Sequence, residues 1–247
     1  MTTPPSSPSE TQPMISQNGT LAVAPGGSTP ASAMVKALGL ISMVSGLLVA
    51  MAYELTAPII AAGHRLATEK AVLQVIPGAV SKRDFIQGPR GLVPREEANQ
   101  QAGASPDIIY AAYDAQGQLK GVAITGAGNG YAGPVEVMFA YDPARQAIVG
   151  TKVQKSNETP GFGDKLDKDA AFLKNFEALD ARLDAEGKAL ANAIQTVKHG
   201  TKTQPWQIDA ITGATLSSRA MGKAANQAAQ RAVPAIQRDP AILSHPH

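Results

Sequence analysis

Between Lys36 and Glu54 the chain reads ALGLISMVSGLLVAMAY, seventeen residues without a charge from Ala37 to Tyr53. At about 1.5 Å of rise per residue a helix of that length spans a hydrocarbon core once Lys36 snorkels toward the headgroups. The run therefore predicts one transmembrane helix over 34–54. Its small residues, Gly39, Ser42, Ser45 and Gly46, are compatible with close packing against another membrane helix. A cleaved signal peptide fits less well, because about 35 residues precede the run and carry no basic residue before Lys36. A buried soluble helix is the remaining alternative. Lys36 on one side and Arg65 and Lys70 on the other leave the orientation open on charge alone.

Residues 1–33 are rich in Ser, Thr, Pro and Gly, with Glu10 as their one charge, and read as a disordered tail that cannot bury enough apolar surface to offset ordering entropy. After the anchor, Pro58 interrupts, and Ala62, Leu66, Leu73 and Ile76 then fall on one helical face up to a Pro77-Gly78 stop. Residues 55–89 are thus expected to be a connecting helix and loop. Arg90 to Ser105 is polar and turn-rich; Asp107–Tyr113, Leu119–Thr125, Val135–Tyr141 and Ile148–Gln154 read as strands. Asp114-Ala115-Gln116-Gly117 predicts an antiparallel hairpin between the first two. Asp167–Phe176 suggests a short helix, and Leu179–Lys198 is compatible with a helix but shows no decisive period. In the last segment Leu216, Ala220, Ala224, Ala228 and Ala232 form an apolar ridge, while Arg219, Lys223, Gln227 and Arg231 face elsewhere. Strands followed by a helix define an α+β domain over 90–235, an antiparallel sheet with helices, ahead of a flexible 236–247.

Composition removes several chemistries. The 247 residues include no cysteine, which excludes disulfide scaffolds, Fe–S clusters, thiolate zinc and cysteine nucleophiles. The four histidines are scattered without ligand spacing, so no metal site is expected. With 22 basic against 20 acidic residues, no block of like charge and 11 aromatics, nucleic acid is not an expected partner. Serine-hydrolase and phosphate-loop signatures are absent.

Gly128-Asn129-Gly130-Tyr131-Ala132-Gly133 matches the spacing of a dinucleotide fingerprint. That fingerprint needs a helix directly after the glycines, whereas Pro134 and the alternating Val135–Phe139 read as a strand, so a glycine-rich bend that admits a flat ligand closely is the better reading. Two further segments carry chemistry. Asp209-Ala210-Ile211-Thr212-Gly213-Ala214-Thr215-Leu216-Ser217-Ser218 places hydroxyls and small residues at the mouth of the last helix, where Thr212 or Thr215 caps the helix or the helix N-terminus receives a phosphate. Asn157-Glu158-Thr159-Pro160-Gly161-Phe162-Gly163-Asp164-Lys165 follows a strand and is either a plain turn or a set of amides and polar groups for the heteroatom edge of a planar cofactor, with Lys165 able to stabilise an anionic reduced ring.

These segments, with Gly130-Tyr131-Ala132-Gly133-Pro134, resemble the covalent-FMN-binding domain family, and most closely the G subunit of Rnf/Rsx electron transport complexes, a relative of the C subunit of the sodium-translocating NADH:quinone reductase. The resemblance runs from the membrane helix to about Arg231. It implies FMN attached through a phosphoester to Thr215 by a separate flavin transferase, with Asp209 needed for that modification. It also implies that Thr212, Gly213, Ala214, Ser217, Ser218, Glu158, Thr159, Gly161, Phe162, Gly163, Lys165, Gly130 and Tyr131 surround the cofactor, and that no residue of the chain is catalytic on its own. The implied function is a fixed electron carrier between ferredoxin and NAD, in a complex of membrane subunits coupled to Na⁺ or H⁺ translocation. The implied location is the bacterial cytoplasmic membrane, N-terminus inside and domain on the periplasmic or external side. A rival from another class is a non-redox, membrane-tethered sensor or assembly module. The tail is longer than the family leader, Phe162 stands where Leu is common, and 179–198 aligns poorly.

Overall fold

The computed structural model describes residues 30–88, 91–97, 107–158 and 165–244. The chain divides into two compact units, one ending at Pro58 and one beginning at Ile59. In the first, α1 (Ala31–Val75) begins with exposed apolar side chains throughout the expected anchor, and it is the one helix among the described residues long and apolar enough to cross a membrane. The expected break at Pro58 is not there: α1 continues through it. Proline removes one backbone donor, a loss that a long helix absorbs.

The second unit is built on a seven-stranded antiparallel sheet in the order β2-β1-β3-β4-β5-β6-β7. Its strands are β1 (Ser81–Gly88), β2 (Gly91–Pro94), β3 (Ile108–Tyr113), β4 (Leu119–Asn129), β5 (Pro134–Asp142), β6 (Ala147–Ser156) and β7 (Leu179–Asp180). The four expected strands are β3 to β6, with the Asp114 carboxylate accepting from Gln116 N and Gln118 N in the expected hairpin turn. Alternation decides the layering. Ile109, Ala111, Tyr113, Val122, Ile124, Val135, Val137, Phe139 and Tyr141 join the core on one face, and Tyr110, Ala112, Ala123, Met138 and Ala140 form a second core on the other.

Each face is covered. The first receives α4 (Thr215–Arg238), whose Ala220, Ala224, Ala228 and Ala232 are buried as the ridge predicts. The second receives Val72, Val75 and Ile76, the end of α1 and the residue after it. Close approach of α4 depends on Gly126 and Gly128, which continue the face of Val122 and Ile124; a Cβ at either would run into the carbonyl of Ala224 or Ala220. These glycines make room for a helix backbone, which is the role the dinucleotide spacing obscures.

Four further expectations need correction. The stretch assigned to a connecting loop before residue 90 contains β1, and the turn-rich stretch after it contains β2; their charged residues pair with one another, Lys82 with Asp84 at 2.5 Å and Arg83 with Glu96 at 3.6 Å. The 167–176 helix is broken: α2 (Lys165–Lys168) stops at Asp169, whose carboxylate caps α3 (Ala170–Leu173) by accepting from Phe172 N. Residues 179–198 are not helical. They hold β7, a turn in which the Asp184 carboxylate accepts from Lys188 N, and β8 (Gln195–Val197), which pairs in parallel with β9 (Gln207–Asp209). The C-terminal segment is ordered through Ser244: α4 runs to Arg238, and a 3₁₀ turn over Pro240–Ser244 buries Leu243. The tail up to Thr29 and residues 245–247 lie outside the described residues.

Two outcomes follow. Gly128→Ala is expected to lower unfolding free energy by about 1–3 kcal/mol through overpacking, whereas Gly63→Ala, in open space on α1, costs nothing; chemical unfolding of both variants checks this. Burial pushes the Tyr141 phenol, which accepts from Gln237 Nε2 at 2.9 Å, up to about 12. The unfolded chain then loses this proton first, so stability is full below pH about 10 and falls as pH rises from 10 toward 12. A pH series of unfolding midpoints, with Tyr141→Phe losing its share of that alkaline slope, is the measurement.

Candidate functional site

The last helix opens without a cap. Gly213 sits at φ +84°, a left-handed turn for which glycine is the natural residue, and Ala214 N donates to Ile211 O at 3.1 Å. The N-cap position is Ala214, which has no side chain able to accept, so the capping reading of Thr212 and Thr215 does not describe this helix. First-turn N–H groups lack intrahelical acceptors and carry the positive end of the helix dipole. No acidic residue lies in this first turn to answer it.

Around that uncapped turn is a cavity of about 510 Å³ lined by Tyr131, Glu158, Gly213, Ala214, Thr215, Leu216 and Ser217. Glu158 is the only charged residue among them. Tyr131 and Leu216 supply apolar surface and are 76% and 53% exposed. Leu216 therefore leaves the buried ridge to which its spacing assigned it: one turn before Ala220, it is left half-exposed.

Ser217 and Ser218 turn inward. Ser217 Oγ donates to Glu158 Oε2 at 2.5 Å. Ser218 Oγ donates to Ala214 O at 2.9 Å and accepts from Ile211 N at 3.0 Å, binding the helix start to the loop before it. Glu158 Oε1 accepts from Ala132 N at 2.9 Å, inside a bend closed by Gly130 N donating to Gly133 O at 2.8 Å. Thr159, Gly161, Phe162 and Gly163 lie outside the described residues.

The other sequence-selected residues line a second cavity of about 220 Å³, with Lys165, Asp209 and Thr212 beside Phe172 and His199. The Asp209 carboxylate accepts from Gly200 N at 2.7 and 3.0 Å and lies 3.6 Å from His199 Nδ1. His199 Nδ1 is also 3.0 Å from Ala210 O, a contact in which the ring nitrogen donates. Thr212 and Gly213 are exposed in the turn between the two cavities.

Asn175 is the organising residue that sequence reasoning missed. Its buried carboxamide accepts from Asp209 N at 3.0 Å and donates to Phe172 O at 2.9 Å and Asp209 O at 3.3 Å; Lys202 Nζ donates to the same carboxamide oxygen at 3.1 Å. Burial pushes the Lys202 ammonium down, with Asp209 pulling the other way. A lone Asn between two phenylalanines gives no signal in the chain. Its long-range partners are a strand 34 residues on and a lysine 27 residues on.

Comparison with known proteins gives the class. Residues 130–230 match the FMN-binding domain family, so the bend, the end of β6 and most of α4 belong to such a domain. The crystal structure of NqrC from Shewanella oneidensis shares the fold, with a TM-score of 0.51 at 21% identity, covering 74% of this chain and 98% of that one. The G subunit of the ion-translocating oxidoreductase complex of Aliivibrio fischeri is 30% identical over 192 residues, 77% of this chain and 85% of its own length. The G subunit of the proton-translocating ferredoxin:NAD(+) oxidoreductase complex of Clostridium ljungdahlii is 25% identical over 199 residues, 81% of this chain and 90% of its own. The chain belongs to the family of G subunits of ion-translocating oxidoreductase complexes.

Asn175→Ala leaves the Asp209 N–H and two carbonyls without their partner and is expected to cost about 1–3 kcal/mol. Urea unfolding checks it, with the exposed Gln227→Ala as the neutral control.

Proposed function

We propose that the chain is a membrane-anchored electron carrier holding FMN covalently, its phosphate esterified to the Thr215 hydroxyl by a separate flavin transferase. One observation carries the reading: Thr215 opens an uncapped helix, beside a cavity with exposed apolar walls, within the stretch that matches the FMN-binding domain. The residues fit the group. A phosphate needs donors and positive potential, which the first turn of α4 offers; a flat tricyclic ring needs apolar walls, which Tyr131 and Leu216 offer. Gly213, with open space where a Cβ would stand, keeps the approach to Thr215 clear.

Bound flavin supplies the one- and two-electron chemistry that a cysteine-free chain lacks. Thr215 fixes the position of the cofactor, and α4, packed on the sheet, fixes Thr215. Among the described residues no lysine or arginine lines this cavity, so the phosphate charge is answered by helix N–H groups, a balance better suited to a singly charged diester than to a monoester carrying nearly two charges. Asp209 acts one loop away: its carboxylate holds the 198–202 turn beneath the segment that delivers Thr212 and Gly213.

Placed in its family, the chain serves as one redox subunit of an Rnf-type ferredoxin:NAD oxidoreductase complex that couples electron transfer to Na⁺ or H⁺ movement. Its partners are the other membrane subunits. The anchor at 34–54 keeps the carrier close to them and raises its effective concentration there, with the domain on the periplasmic or external side of the cytoplasmic membrane.

The test is intact mass and in-gel flavin fluorescence of the denatured full chain made with a flavin transferase. Wild type is expected to gain FMN less one water, and Thr215→Ala to gain nothing while unfolding within about 1 kcal/mol of wild type, as surface substitutions do. Flavin retained on the denatured Thr215→Ala chain would overturn the acceptor.

A further inference from the structure

We propose that Glu158 is the positioning residue of this cavity: its two hydrogen bonds hold the Gly130–Gly133 bend against the first turn of α4 and set the separation of the walls that receive the ring. What is seated there rests on the FMN reading above; the clamp itself does not.

Three segments meet on this one carboxylate. Glu158 follows the end of β6 and is half-buried, with its own N–H donating to Ser156 Oγ at 3.1 Å. Oε1 reaches back 26 residues to Ala132 N and Oε2 reaches forward 59 residues to Ser217 Oγ. Ser217 is 3% exposed, so water is a poor substitute for that partner. Gly130 admits the contact, since a Cβ there would run into the carboxylate. The two partners are the sequence neighbours of the two apolar walls: Tyr131 precedes Ala132 and Leu216 precedes Ser217. A change in either bond moves a wall.

The charge has its own effect. A carboxylate beside a helix N-terminus is stabilised by the dipole, and a fixed negative charge next to a ring that takes up electrons disfavours the reduced state. Glu158 thus biases the cofactor toward lower potential as well as shaping its seat. An amide at 158 keeps an oxygen for Ala132 N and loses the charge. An alanine loses both.

The experiment uses the full chain in detergent, made with and without a flavin transferase, as wild type, Glu158→Gln, Glu158→Ala and Ser217→Ala. In the unloaded chain, hydrogen exchange at the Ala132 amide is expected to rise about tenfold in Glu158→Ala, the fold-change for losing one bond to a charged group, and to stay near wild type in Glu158→Gln. In the loaded chain, Glu158→Gln is expected to shift the flavin midpoint potential upward, and Glu158→Ala to brighten native flavin fluorescence as the seat loosens. Ala132 exchange unchanged in Glu158→Ala overturns the clamp; a potential unmoved in Glu158→Gln overturns its role toward the cofactor. Should Glu158→Ala fail to fold, Ser217→Ala removes only the helix arm and is expected to speed exchange at the Ser218 amide, which closes the first turn of α4 on Ala214 O; Ser218 exchange unchanged there overturns the clamp. A wild-type chain that takes up no flavin while Ala132 exchange responds as stated would remove the FMN reading and leave the clamp standing.

Discussion

The backbone of α4 rests directly on the backbone of β4, and the placement of every group around the cavity follows from that contact. Gly126 and Gly128 on the strand and Ala220 and Ala224 on the helix leave no side chain thicker than a methyl between the two elements. Such an approach fixes the helix along its axis as well as across it, because carbonyls of the helix sit in gaps one residue wide. The register of α4 determines where its first turn emerges past the end of β4, and hence where Thr215, Leu216 and Ser217 stand relative to the bend at Gly130–Gly133. A bulkier strand residue would move the turn away from Glu158.

Legibility from sequence tracks how local the cause is. The four central strands show themselves because Val135, Val137, Phe139 and Tyr141 alternate with residues of the opposite face, and the Ala220–Ala232 ridge because four-residue spacing is a property of the helix alone. Strand β1 hides, since Lys82, Arg83 and Asp84 give no apolar alternation, and the partners of Arg83 and Asp84, Glu96 and Arg95, arrive from a later segment. Residues 179–198 take their shape from distant groups, among them Asn226, whose Oδ1 accepts from Ile194 N. The same rule governs the site. Thr215 and its surrounding motif are contiguous and readable, whereas the inward turn of Ser217, the exposure of Leu216 and the hub at Asn175 depend on contacts that spacing does not carry.

The residues that the family motifs group together are divided in space between two cavities separated by the Thr212–Gly213 turn. One side is apolar, uncapped and nearly uncharged. The other carries the ionisable side chains of Lys165, Asp169, His199 and Asp209 and is internally bonded. A motif that is continuous along the chain thus does two physical tasks: its first half braces a loop, and its second half presents a hydroxyl. Asn175 holds β9 at Asp209, and the Ser218 hydroxyl holds Ile211, just beyond that strand, to the helix start.

The order in which these contacts can form has a consequence of its own. The strands of the sheet pair mostly with their neighbours along the chain, a meander that closes by short hairpins. The contacts that finish the cavity span far longer loops, 59 residues from Glu158 to Ser217 and 96 from Tyr141 to Gln237. Loop closure of that size is entropically slow relative to hairpin formation. The sheet is therefore expected to assemble ahead of α4, and the Thr215 hydroxyl to reach its final setting only when the last long helix docks. An attachment reaction that requires this setting would discriminate by conformation, modifying finished chains and passing over incomplete ones.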